Sequence, residues 1–257
     1  MTAAMGVAVV RAAIAPLLAE PRASSVQVSQ RLAGQALEIL ESQGDWARVR
    51  GGDGYEGWVH TGYIAPAPGG SARQSRGARR VSLGCVTRIP GGGRRALPLG
   101  AYLGPEETAE YGEVVDETVM GARFPAAAAA IALSAPQFFE GASYQWGGIT
   151  PWGADCSGFV QSLFALHGVA LPRDASQQAA VGAPVERTFA EVGAGELAFF
   201  SDREDRRITH VGLGIGGGRM AHVAIGRGGF AIERLADTRD GYLKGLRDRF
   251  RFARAVV

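Results

Sequence analysis

The stretch Tyr144-Gln-Trp-Gly-Gly-Ile-Thr-Pro-Trp-Gly-Ala-Asp-Cys-Ser-Gly-Phe-Val160 constrains this chain more than any other. A loop rich in Gly, Pro and Trp ends at Asp155-Cys156-Ser157-Gly158. Apolar residues then recur at helical spacing, Phe159, Val160, Leu163, Phe164 and Leu166, up to the stop signal His167-Gly168. Asp155 is suited to cap the helix, which puts Cys156 in its first turn. There the backbone N–H groups and the helix dipole favour negative charge, so thiolate is expected over thiol, and the thiolate is the nucleophile. A cysteine at a helix start can equally be a small buried hydrophobe. Its partners decide between the two.

A catalytic thiolate needs a base, and the base needs something to orient it. Ile208-Thr-His-Val-Gly-Leu-Gly-Ile215 alternates like a half-buried strand, with His210, Gly212 and Gly214 on one face, a Gly-rich face that leaves room for a partner. Gly216-Gly217-Gly218 turns a hairpin, and no Lys-Ser/Thr follows to make it a phosphate loop. Arg219 to Ile225 returns as the next strand, which lets His222 meet His210 ring to ring. Cys156, His210 and His222 then read as nucleophile, base and orienter. Core histidines and a zinc site are the competing readings; no fourth ligand or paired spacing supports zinc, and no metal or cofactor is expected.

Together with Leu171-Pro-Arg-Asp-Ala-Ser176 and Gly195-Glu-Leu-Ala-Phe-Phe200, these motifs resemble an NlpC/P60 cysteine peptidase domain over about residues 125 to 257. The resemblance implies an α+β, papain-like fold in which a helix carrying the cysteine packs on an antiparallel sheet carrying the histidine. It also implies hydrolysis of peptides of bacterial cell-wall peptidoglycan, commonly between D-Glu and a diamino acid.

Upstream, short strands alternate with turns: Val7 to Arg11, Val26 to Leu32, Ala36 to Leu40, Trp46 to Arg50 and Tyr55 to Val59. Five short strands in so few residues suggest a small barrel, with Trp46 and Trp58 in its core. Glu38-Ile39-Leu40, Gly44-Asp45-Trp46, Val49 and Tyr55-Glu56-Gly57-Trp58-Val59 resemble a bacterial SH3 (SH3b) domain. Residues 79–122 read as strands Arg80 to Ile89, Arg94 to Leu103 and Glu113 to Met120, a second, degenerate SH3b-like barrel. The expected division is 1–67 for the first barrel, 68–78 as a Pro/Gly/Ser/Arg-rich linker, 79–122 for the second barrel, and 123–257 for the peptidase, opening with a helix from Pro125.

Paired SH3b modules before such a domain look like the γ-D-glutamyl-L-diamino acid endopeptidases of murein peptide recycling. In those enzymes the first barrel covers part of the cleft, so that only peptides with a free N-terminal L-Ala fit. The residues this resemblance assigns to the substrate ammonium are Glu20, Tyr55, Tyr144, Asp155, Ser157 and Ser176; Glu20 is equally readable as an ordinary surface charge. A buried ammonium must be paired or its desolvation is prohibitive, so a pocket of this composition would reject N-acylated peptides.

A net charge of +2 over 257 residues, without a basic cluster carrying interleaved aromatics, gives no footprint for nucleic acid. Two cysteines make no disulfide framework, and both are expected reduced. Met5 to Ala19 is apolar but interrupted by Arg11 and Pro16, which fits neither a secretory signal nor a membrane span. The expectation is a cytoplasmic monomer acting on murein peptides, with an exported protein that has lost its leader as the alternative. His60 and His167 read as structural, and Trp146 and Trp152 as cleft lining or packing anchors. Competing functions are a wall-remodelling hydrolase acting on intact stems, a transferase on the same scaffold, and a wall-binding module with an inert peptidase domain.

Overall fold

The computed structural model describes residues 6–67 and 79–257; the expected linker, 68–78, lies outside the described residues. The chain forms two compact units, Met1–Met120 and Gly121–Val257.

In the first unit, seven strands form an antiparallel sheet ordered β3-β2-β6-β5-β4-β1-β7. They are β1 (Gly6–Val10), β2 (Ile14–Leu18), β3 (Gln27–Leu32), β4 (Ala36–Gln43), β5 (Trp46–Arg50), β6 (Glu56–His60) and β7 (Ile64–Pro66). Val10, Leu17, Leu37, Val49, Val59 and Ile64, from six of these strands, pack into one cluster. A sheet that brings so many strands to one core is rolled on itself, as a small barrel requires. Two strands exceed the five expected. β7 is too short to read, and Pro16 disguises β2. At Pro16 that strand has a partner on one side only, because it meets β6 at Leu18 alone.

Trp46 and Trp58 are half-buried and stand outside the core that was expected to hold them. Ala47, Val49 and Val59 take the inward positions of β5 and β6, so the period of 2 turns both indoles to the other face. Trp46 meets His60 edge-on at 5.2 Å between ring centroids, and His60 Nδ1 accepts the N–H of Gly62 at 3.0 Å.

Where a second barrel was expected, β8 (Arg80–Arg88), β9 (Arg94–Leu97) and β10 (Thr108–Asp116) form a three-stranded antiparallel sheet ordered β10-β8-β9. Pro98 ends β9 early, and a helical turn at Glu117–Val119 with α1 (Met120–Arg123) replaces the end of the third expected strand. The small sheet is tied to the first by the Tyr102 N–H on the Ala33 carbonyl at 2.8 Å and by Arg95 on the Arg11 carbonyl at 2.6 Å. Cys85 is buried on β8, where burial raises its thiol pKa, and it is free.

The second unit runs α2 (Ala128–Phe139), β11 (Ile149–Thr150), β12 (Gly153–Ala154), α3 (Cys156–Leu166), α4 (Ala175–Gln178), β13 (Ala183–Val185), β14 (Glu196–Phe200), β15 (His210–Gly216), β16 (Arg219–Ala224), β17 (Gly229–Arg234), α5 (Gly241–Arg249) and β18 (Phe250–Ala255). Its six-stranded antiparallel sheet is ordered β13-β18-β14-β15-β16-β17. Alternation along the strands gives the sheet two apolar faces. Ala198, Phe200, Met220 and Ala253 pack with Leu243 and Leu246 of α5. On the other face Phe159 of α3 stacks edge-on with Phe139 of α2 and Phe230 of β17, at 5.0 and 5.8 Å. The outcome is the α+β arrangement of helix on antiparallel sheet.

His167 closes α3 as expected but carries no charge to its dipole. It is buried, its ring nitrogens lie 2.8 Å from the Pro125 carbonyl and 3.0 Å from Ser134 Oγ, and burial lowers its pKa. Among the described residues no single helix is long and apolar enough to cross a membrane.

The Gly-rich face of β15 is filled from within. A Cβ on Gly212 would lie 2.5 Å from the Met220 sulfur, and one on Gly214 only 1.9 Å from the Gly193 carbonyl oxygen. Since backbone cannot give way as a side chain can, Gly214→Ala should destabilise the unit by about 1–3 kcal/mol. Thermal unfolding checks this, and an unchanged midpoint would refute it.

Candidate active site

The loop before α3 is held by one carboxylate. Asp155 is the N-cap, and its oxygens accept from Gly158 N–H at 2.7 Å, Gly147 N–H at 2.9 Å, Ser157 Oγ at 3.2 Å, and Arg173 at 3.0 and 2.6 Å. Arg173 also donates to Ser157 Oγ at 2.9 Å. Arg173 and Asp155 are both buried, with side chains 2% and 9% exposed. Gly158 is required for the fit, since a Cβ there would stand 2.0 Å from the Gly148 carbonyl oxygen. These bonds anchor Asp155 and offset part of its charge. Ser157 is engaged in the same network.

Cys156 begins α3 as expected, and α3 packs on β15. The backbone N–H groups of Val211 and Ser157 reach its sulfur and favour thiolate. They are outweighed. Burial first, and then the charge of Asp155, push the Cys156 thiol up to about 12. The expected preference for thiolate at the helix N-terminus is therefore reversed in the closed site. Tyr144, half-buried beside Cys156 and Asp155, is pushed up to about 12 by burial and their charges, which keeps its hydroxyl a donor.

His210 is the first residue of β15, and the register that pairs Leu213 with Ala221 sets His222 diagonally across the hairpin from it. His210 Nε2 lies 2.9 Å from His222 Nδ1, the lateral ring contact that the hairpin implies. Burial, His222 and Arg249 drive the His210 pKa well below its ordinary value. His222 is fully buried, with the ring of Tyr242 edge-on at 6.1 Å.

The chain of contacts continues through residues the sequence did not single out. His222 Nε2 lies 3.2 Å from Glu233 Oε1 on β17. Arg227 donates to both oxygens of Glu233, at 2.7 and 3.0 Å, and also reaches Asp240, the N-cap of α5. Burial raises the Glu233 carboxyl, but the hydrogen bonds from His222 and Arg227 prevail and hold it at about 2. Strand register could have found Glu233, because β17 must pair with β16 and shares its inward positions. Arg173 sat in plain view within Leu171-Pro-Arg-Asp-Ala-Ser176, without a signal that it would turn inward.

The remaining assigned residues lie elsewhere. Ser176 is half-buried in α4. In the other unit, Glu20 is exposed in the loop after β2 and paired with Arg22 at 3.0 Å. Tyr55 is half-buried in the turn before β6; its N–H donates to Asp53 at 3.0 Å, and its carbonyl accepts from Arg31 at 3.3 Å.

Residues 141–241 match the NlpC/P60 family and residues 15–65 the bacterial SH3 domain. The chain is 32% identical over 225 residues to the gamma-D-glutamyl-L-lysine dipeptidyl-peptidase of Bacillus subtilis (strain 168), covering 75% of this chain and 70% of that protein. This chain belongs to the NlpC/P60 family of cysteine peptidases. Over 84 residues it is 48% identical to the bifunctional muramidase/DL-endopeptidase CwlT of the same organism, covering 32% of this chain and 25% of that one. The fold matches an NlpC/P60 family protein from Bacillus cereus ATCC 10987 with a TM-score of 0.79 and 19% identity, covering 97% of this chain and 99% of that one.

Two outcomes follow from this geometry. Arg173→Met strands a buried carboxylate and should cost about 3–5 kcal/mol of stability; denaturant unfolding measures it, and a loss under about 1 kcal/mol would contradict the keystone role. A raised thiol and a lowered imidazole both favour the neutral pair at rest, since a proton stays on sulfur below its pKa and leaves the ring above its own. Alkylation of Cys156 by iodoacetamide should therefore be slow near neutral pH and climb by about tenfold per pH unit into the alkaline range. A fast plateau extending to acid pH would instead reveal a preformed ion pair.

Proposed function

We propose that the chain is a cysteine endopeptidase that hydrolyses the γ-D-Glu–diamino acid bond of murein peptides and requires a free N-terminal L-Ala. The hydrogen-bonded His210–His222 pair across the β15–β16 hairpin, with β15 packed on the helix that Asp155 caps and Cys156 begins, carries the reading. Similarity along 225 residues to a protein named for γ-D-glutamyl-L-lysine peptides supports the choice of bond.

Cys156 Sγ attacks the γ-carbonyl carbon of D-Glu as His210 takes the thiol proton; the C–N bond then breaks, and His210 gives the proton to the departing amine. Water, deprotonated by His210, attacks the thioester carbon; the C–S bond breaks, the D-Glu γ-carboxyl is released, and His210 returns the proton to the Cys156 sulfur. The N–H groups at the start of α3 and the hydroxyl of Tyr144 are placed near the sulfur, and these are the donors assigned to the oxyanion. Arg173 holds Asp155 and Ser157 in place, and the ammonium of L-Ala is assigned within this unit to Tyr144, Asp155, Ser157 and Ser176. A pocket built around a charged donor discriminates against the acylated analogue by about 10⁴. A free L-Ala amine arises once the stem has left its glycan, which makes the cytoplasm the proposed compartment and a monomer the proposed unit.

Mass spectrometry of the protein with L-Ala-γ-D-Glu-diaminopimelate and its N-acetylated twin tests this. Cleavage of the free peptide alone, abolished by Cys156→Ala, is the expected result. Cleavage of both peptides would favour wall remodelling, and product formed only with an added amine acceptor would favour transfer.

A further inference from the structure

His210 can serve as a base only if its rings and protons are arranged in one way. Its Nε2 is engaged with His222 at 2.9 Å, so the nitrogen left for the thiol is Nδ1. For Nδ1 to carry a lone pair, the neutral ring must hold its proton on Nε2. His222 Nδ1 must then accept that N–H, which puts the His222 proton on Nε2. That nitrogen faces Glu233 Oε1 at 3.2 Å, a carboxylate that can only accept. The opposite arrangement, with His222 Nδ1–H donating to His210, would leave the His210 proton facing the sulfur and the base blocked.

We propose that Glu233 is a positioning residue: its carboxylate fixes the tautomer of His222, and through it that of His210, so that His210 Nδ1 faces Cys156 as a base. The proposal rests on the reading of His210 as the base and goes beyond it by naming what sets its proton. Arg227 completes the device. Its Nε and a terminal nitrogen hold both oxygens of Glu233, at 2.7 and 3.0 Å, so the carboxylate charge is balanced without a second proton on His222. Arg227 is itself held by Asp240 at the start of α5 and lies over the Tyr242 ring at 4.3 Å. Glu233 is buried, as a residue acting through His222 should be.

The charged and titratable groups around the two imidazoles are Cys156 at the start of α3, Glu233 on the Nε2 side of His222 with Arg227 behind it, and Asp240, Tyr242 and Arg249 from α5. Removing Glu233 and removing Arg227 therefore predict different signatures. Glu233→Gln offers His222 an N–H as readily as a carbonyl, which permits the blocked tautomer. Arg227→Met leaves an unbalanced carboxylate behind the histidine pair, which favours the protonated pair as pH falls.

The decisive experiment uses the full chain with ¹⁵N-labelled histidine rings, and reads ring protonation by NMR, iodoacetamide alkylation of Cys156, and the pH profile of peptide hydrolysis. In the unmodified chain both histidines should be protonated on Nε2. Glu233→Gln should mix the tautomers and slow alkylation and turnover by roughly 10²-fold or more at all pH values, with KM little changed. Arg227→Met should move the acid limb to higher pH by about one unit, with activity regained in alkaline buffer. The proposal fails if Glu233→Gln lowers the melting temperature but leaves ring protonation and the pH profile as they were, or if either histidine of the unmodified chain carries its proton on Nδ1. The NMR and alkylation readouts need no peptide, so they decide the matter even if the proposed substrate is not cut.

Discussion

The buried pair of Arg173 and Asp155 is the contact on which the active-site half of the chain depends. Each ion alone would be costly to bury, and together they are still favourable only if every lone pair and donor is used. The local geometry meets that condition at the carboxylate, because Asp155 gathers the loop N–H of Gly147, the helix N–H of Gly158, the Ser157 hydroxyl and two Arg173 donors. The same bonds fix where the helix begins, which fixes the direction in which Cys156 leaves the backbone. Gly148 and Gly158 then approach within a distance that no side chain would allow. Position of the nucleophile is thus a consequence of electrostatics several atoms away from it.

Much of this was legible in the sequence, and the exceptions have physical causes. The start and end of α3 were readable because a capping Asp and a terminal His-Gly bracket an apolar period. The His210–His222 contact was readable because a three-glycine hairpin leaves little freedom of register. Glu233 needed one further step, since it becomes readable only once β17 is laid against β16 in register. Arg173 was not readable, because an arginine in a Pro-Arg-Asp loop is exposed by default, and only tertiary structure supplies the buried acid it needs. Short strands carry weak signals, so β2 and β7 were missed and a three-stranded sheet was read as a second barrel. The faces of β5 and β6 follow the same lesson: the indoles of Trp46 and Trp58 look like core by size, yet alternation gives the core to Ala47, Val49 and Val59.

The thiol shows how two correct local principles can be ranked only in three dimensions. Helix N-terminal N–H groups do reach the sulfur and do favour its anion. Burial opposes them, and so does the negative charge of the residue that caps the helix. A cap strong enough to define the helix is therefore also a charge close enough to disfavour the thiolate. In the proposed mechanism, proton transfer to His210 during attack resolves the conflict, because the charge is then created only as the substrate carbonyl begins to share it.

Both halves of the site use the same device. On the cysteine side Arg173 balances Asp155, and on the histidine side Arg227 balances Glu233. In each case a carboxylate supplies hydrogen-bond acceptors in fixed positions, while an arginine offsets part of its field. Acceptors without net charge are what this site requires. A bare carboxylate near Cys156 would push the thiol further from ionisation, and one behind the histidine pair would favour its protonated form. Neutral fork-and-carboxylate pairs hold the loop and the rings in place, and they leave the thiol and imidazole free to exchange a single proton between them.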